Sequence, residues 1–86
     1  MTPEELLRLY PRETLRWLRR RLGLSQLQFA LEIEVGATTL GSWERRRHGI
    51  SPPHRAQLAA LLAPHLATPE GEAFARSLGR GEAAEG

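Results

Sequence analysis

The stretch from Ser25 to Glu44 constrains this chain most, because twenty residues there must hold two short helices and a sharp turn. Ser25 is a strong N-cap, and Gln28 three residues on completes a capping box, so a helix starts here. Phe29, Ala30 and Ile33 share its inward face at helical spacing. Val35 falls in the turn, and a second helix opens near Gly36 or Ala37. Leu40 and Trp43, three apart, give that helix its buried stripe. Ala30 is small where two steeply crossing helices bring their backbones together.

These residues make a helix-turn-helix pattern, and the chain around them resembles the Cro and phage-repressor type of helix-turn-helix domain. Gly23-Leu24-Ser25-Gln26 matches the family's lead into the first motif helix. Ala30, Val35, Leu40 and Trp43-Glu44 fall where the family places its small residue, turn apolar residue, core residues and acidic residue. Leu15-Arg16-x-Leu18-Arg19 is similar to its first helix, and the resemblance covers roughly residues 13 to 65. Two positions depart from it. Glu34 stands where the family usually has Gly for a left-handed turn, a replacement that costs about 1 kcal/mol. Arg46 replaces the usual Gly after the acidic residue, with about one extra residue before Pro52. The resemblance implies an all-α, lambda-repressor-like bundle of five to six short helices.

The remaining segments extend that bundle. Thr2-Pro3-Glu4-Glu5 combines a cap, a Pro at the first helical position and a Glu three residues after the cap. Leu6, Leu9 and Tyr10 follow as an apolar stripe, and Pro11 ends this helix or begins the next. Residues 12 to 22 form a second helix with Leu15, Leu18, Arg19 and Leu22 on one face, and Gly23 ends it. An Arg inside an apolar stripe needs a partner or a route to water. The resemblance supplies Glu44, which predicts an Arg19–Glu44 ion pair across the core. Trp17 lies opposite the stripe: either Leu6, Leu9 and Tyr10 cover it, from this chain or from a second copy, or it is a partner-binding aromatic. Arg16 and Arg20 face solvent. Ser51-Pro52-Pro53 caps a fifth helix with Leu58, Leu61 and Leu62 inward, which Pro64 stops or kinks. Thr68-Pro69-Glu70 begins a sixth, with Phe74 and Leu78 four apart. The expected division is an N-terminal short helix (1–11), a helix-turn-helix core (12–66), a C-terminal short helix (67–78) and a frayed tail (79–86).

Charge points to the partner. All twelve basic residues are Arg, and ten of them against four Glu between residues 8 and 55 give that segment +6, although the whole chain is only +2. A basic body with mildly acidic ends fits a polyanion. Lys, Asp, Asn and Cys are absent, which excludes disulfides and thiolate zinc sites. The Arg bias, with six Pro and no Asn, fits GC-rich coding or a thermophilic source. No run of about eighteen apolar residues occurs, so no membrane span is expected and the cytoplasm is the expected location.

The second motif helix, about residues 37–45, is the one that enters the major groove in such folds. Its outward residues are Ala37, Thr38, Thr39, Gly41 and Ser42. The resemblance makes Ala37, Thr38 and Ser42 the base-contacting candidates. All are short and none can make a bidentate base contact, so direct readout is thin and DNA shape, half-site spacing or a partner must add specificity. Gln26, Arg45, Arg46 and Arg47 are the phosphate candidates, with His48 and Arg55 behind them; one cation at a helix C-terminus is ordinary, three in succession are not. An enzyme is the least supported class: His48, His54 and His65 lack ligand spacing, and no cofactor or metal is expected. Two functions follow. One is a sequence-specific, double-stranded DNA-binding transcriptional regulator, a repressor of Cro-like type acting as a homodimer. The other is a protein-interaction or antitoxin-like helix-turn-helix module with weak or partner-dependent DNA binding, using the terminal helices, whose stripes at Leu6/Leu9/Tyr10 and Phe74/Leu78 look unpartnered.

Overall fold

Short-range capping sets the helix starts. In the computed structural model, which describes residues 1–45 and 49–79, six α-helices and no strands occur among the described residues. They are α1 (Pro3–Leu9), α2 (Pro11–Leu22), α3 (Gln26–Glu32), α4 (Ala37–Glu44), α5 (Pro52–Leu66) and α6 (Pro69–Gly79). Two complete capping boxes open α1 and α3. The Glu5 N–H donates to Thr2 Oγ1 (3.1 Å) while the Thr2 N–H donates to Glu5 Oε1 (2.8 Å). The Gln28 N–H donates to Ser25 Oγ (3.1 Å) and the Ser25 N–H to Gln28 Oε1 (2.9 Å). Each box satisfies two backbone donors that a helix start leaves orphaned. Pro11 begins α2 rather than ending α1. Ser51 occupies the N-cap of α5, but its hydroxyl pairs with His54 Nδ1 at 2.7 Å instead of a backbone N–H.

The helix ends repeat one device. At the end of α2, Gly23 has φ +72°, with Gly23 N–H to Arg20 O and Leu24 N–H to Arg19 O, both 3.1 Å. At the end of α3, Glu34 has φ +57°, with Glu34 N–H to Leu31 O (3.2 Å) and Val35 N–H to Ala30 O (2.9 Å). Both are Schellman closures with a left-handed residue just past the helix. The non-Gly residue at 34 therefore takes the left-handed backbone, and the turn into α4 keeps its shape despite the steric penalty.

One core joins the helices: Leu7, Leu15, Leu18, Phe29, Ala30, Ile33, Leu40, Trp43, Ile50, Leu58 and Leu62 are all buried. Thr14 is also fully buried, and its hydroxyl donates to Leu6 O across the α1–α2 corner (3.3 Å). Four expectations need correction. The inward residues of α1 are Leu6 and Leu7, neighbours in sequence, whereas Leu9 is exposed; α1 packs chiefly on α5, and that contact decides which side faces in. Trp17 is covered by Phe74 of α6, ring centroids 4.8 Å apart and planes 8° apart, with the Arg21 guanidinium 5.6 Å from the indole centroid. Leu78 is fully buried, so α6 carries no spare stripe. Pro64 does not stop α5, which continues through it to Leu66. The join between α5 and α6 is tight: Thr68 Oγ1 donates to His65 O (2.6 Å) and accepts from the Gly71 N–H (3.1 Å). A Cβ at Gly71 would collide with His65 O and the Leu66 backbone.

Candidate nucleic-acid interface

Helix α4 divides along its length. Leu40, Trp43 and Glu44 are buried, while Ala37, Thr38 and Thr39 are exposed in its first turn and Ser42 is half-buried one turn later. Ala37, Thr38 and Ser42 thus present three short side chains, two of them hydroxyls, along the outward side of a helix whose other side is locked into the core. Gly41, expected outward, is buried: a Cβ there would lie 4.0 Å from Arg45 Cζ and Nη2 and 4.0 Å from Gln26 Nε2. Two of the phosphate candidates therefore meet over α4 where it lacks a side chain. Arg45 caps the C-terminus of α4 and is exposed, and Gln26 opens α3. Arg46, Arg47 and His48 lie outside the described residues.

Arg19 reaches Glu44 from α2 with two donors, Nε to Oε2 at 3.3 Å and Nη2 to Oε1 at 3.4 Å. Its Nη1 donates to Leu24 O at 3.5 Å. The Glu44 side chain is 6% exposed and that of Arg19 is 18% exposed. A planar fork on a nearly buried carboxylate ties α2 to the C-terminal end of α4. Arg16 is the second cation on the same carboxylate, with Nε 3.9 Å from Oε1.

Arg55 works elsewhere: it is half-buried, 4.0 Å from Glu4 and 3.5 Å from Ile50 O, and so ties α5 to α1. His54 is held by Ser51 and sits against Trp43, with ring centroids 5.4 Å apart. His65 Nδ1 accepts from Arg21 Nε at 3.1 Å. No group of three His, Cys, Asp or Glu side chains able to hold a metal occurs among the described residues. No helix among them is long and apolar enough to cross a membrane.

The side chains that sequence reasoning passed over are Arg12 and Arg16. With Arg19, Gln26, Glu44 and Arg45 they line a groove of about 540 Å³, open to solvent, between α2 and the motif. Their signal was present, since positions 12, 16 and 19 are four and three apart and so share one face of α2.

A family model described as helix-turn-helix matches residues 15–63, more than half of the chain. The chain belongs to the Cro/C1-type helix-turn-helix family. No curated protein and no solved structure matches it. Membership of this helix-turn-helix family makes α3 and α4 the motif helices and makes DNA the partner that its members' fold serves. The family's domain is a binding module, typically without catalysis.

Proposed function

We propose that this helix-turn-helix chain is a sequence-specific, double-stranded DNA-binding transcriptional regulator. Helix α4 enters the major groove, Ala37, Thr38 and Ser42 meet base edges, and Gln26, Arg45, Arg46 and Arg47 hold backbone phosphates. The observation that carries this reading is the exposed small-residue turn of α4 beside the convergence of Gln26 and Arg45 over Gly41. A helix with only short outward side chains can lie deep in a groove, and its flanking donors then fall at the strands. Thr38 and Ser42 supply one hydrogen bond each and Ala37 an apolar contact to a thymine methyl, so shape and half-site spacing carry much of the specificity. Two copies on a near-palindrome raise the affinity that one small helix cannot provide.

The interaction-module reading keeps one observation in its favour: Leu27 and Leu31, four apart on α3, are 60% and 70% exposed. Of the terminal stripes that first suggested it, Leu6 and Leu78 are buried and Phe74 stacks on Trp17, while Leu9 stays exposed. Titrating a duplex at several salt concentrations separates the two readings. Three to five phosphate contacts per protomer give a log–log slope of roughly −3 to −5. Arg45→Ala with Arg46→Ala flattens it. A slope near zero for the unaltered chain leaves the interaction module.

A further inference from the structure

The groove between α2 and the motif is lined by four guanidinium groups and a single carboxylate, a local excess of three positive charges. That carboxylate is already committed: both oxygens of Glu44 are engaged by Arg19, with Arg16 behind at 3.9 Å. Arg12 and Arg45 have no carboxylate partner among the described residues. The Arg16 side chain remains 43% exposed, so it keeps donors free for a second acceptor. Like charges gathered around one open groove repel one another, and the arrangement is relieved by an anion that accepts from several forks at once. The groove, about 540 Å³ and open to solvent, is large enough to admit a tetrahedral anion with its ester oxygens. Gln26 Nε2 at the groove's edge adds a neutral donor, which suits an oxygen anion rather than a hydrophobic one.

We propose that this groove is a phosphate-binding site in which Arg12 and Arg16 of α2 are ligands alongside Gln26 and Arg45. Its preferred occupant, resting on the DNA-binding reading, is a backbone phosphate of the duplex, which extends the footprint from the motif helices onto α2. Free phosphate has the same chemistry and is the other source.

Two measurements on the full chain test this. The first compares the salt slope of duplex binding for the unaltered chain, Arg12→Gln, the pair Arg12→Gln with Arg16→Gln, and Arg76→Gln, which removes an exposed charge on α6. Each lost phosphate contact lowers the slope by about 0.9, so the pair flattens it by at least that amount and Arg76→Gln leaves it alone. Arg19 is untouched in all of them, so Glu44 keeps its two-donor partner, and Arg12→Gln alone, at an exposed position, guards against a folding defect in the pair. The second titrates the isotope-labelled chain with inorganic phosphate against chloride at matched ionic strength. It follows the Gln26 side-chain amide and the arginine Nε–H signals by NMR. Flattening in the first measurement supports the site with DNA as its occupant. Phosphate-specific shifts that disappear in the paired variant support it with free phosphate, even where the duplex does not bind and the regulator reading fails. An unchanged slope in a chain that does bind DNA, together with silence toward phosphate, overturns the site and leaves the regulator reading intact.

Discussion

Glu34 carries a local penalty that its neighbours impose. The α3–α4 turn needs φ near +57° at this position, and the hydrogen bonds of Val35 to Ala30 and Glu34 to Leu31 hold it there. A left-handed L-residue costs roughly 1–2 kcal/mol, and Gly returns about 0.4–1 kcal/mol of that through its freer unfolded chain. Glu34→Gly therefore raises stability by roughly 0.5–1 kcal/mol, to be read from denaturant midpoints. Glu44 is the opposite case. Its removal leaves Arg19 facing the core without its carboxylate, with only the long bond to Leu24 O and the 18% of its side chain that reaches water to compensate. Glu44→Ala is expected to lower stability by about 2–3 kcal/mol, short of the 3–5 typical of a fully buried pair. Equilibrium unfolding measures it, and a change near zero would show that the pair does not support the fold.

At the scale of elements, α6 is held by a few specific contacts. Phe74 stacks on Trp17, Arg21 spans Trp17 and His65, and Gly71 lets the α6 backbone approach the end of α5. Gly71→Ala places a methyl against the His65 carbonyl, and overpacking of this kind costs about 1–3 kcal/mol. The expected outcome is that α6 lifts: the Trp17 ring protons, shifted by the stacked Phe74 ring, move toward unstacked values while the α3–α4 signals hold. Helix α1 gives the pH prediction. The Thr2 N–H donates to the ionised Glu5 carboxylate and, with a smaller contribution from the Thr2 hydroxyl, holds its pKa below the ordinary glutamate value. A lowered folded pKa means that the capping contribution is fully present above the unfolded pKa and is lost as pH falls through the folded one. An acid titration followed by NMR should show Glu5 protonating below a free glutamate, with the Thr2 amide signal changing in step.

For the whole molecule, size and charge act together. The Cα extents of 31 × 24 × 22 Å compare with about 34 Å between successive major-groove half-sites on one face of a duplex. On the proposed DNA-binding reading, one chain is of the size to occupy one half-site. A slope of about −4 per protomer means that a fourfold rise in salt weakens each protomer's hold by about two orders of magnitude. Duplex titrations at two salt concentrations check that figure, and a dimeric complex should show roughly twice the exponent.

The sequence by itself determined the parts that are local in the chain. Thr2 with Glu5, Ser25 with Gln28, and Pro3, Pro11 and Gly23 set helix boundaries because caps act within a few residues. The spacing of Phe29, Ala30, Ile33, Leu40 and Trp43 defined the motif's inner faces, because a helix turns every 3.6 residues. Tertiary structure decided what local periodicity cannot hold. It chose Leu7 over Leu9 as an inward residue of α1, brought Phe74 from the far end of the chain onto Trp17, and buried Gly41 beneath Gln26 and Arg45. It also gathered Arg12, Arg16 and Arg45 around one groove. Each of these depends on which helix lands against which, and that is settled by the packing of distant surfaces together rather than by any one segment's pattern.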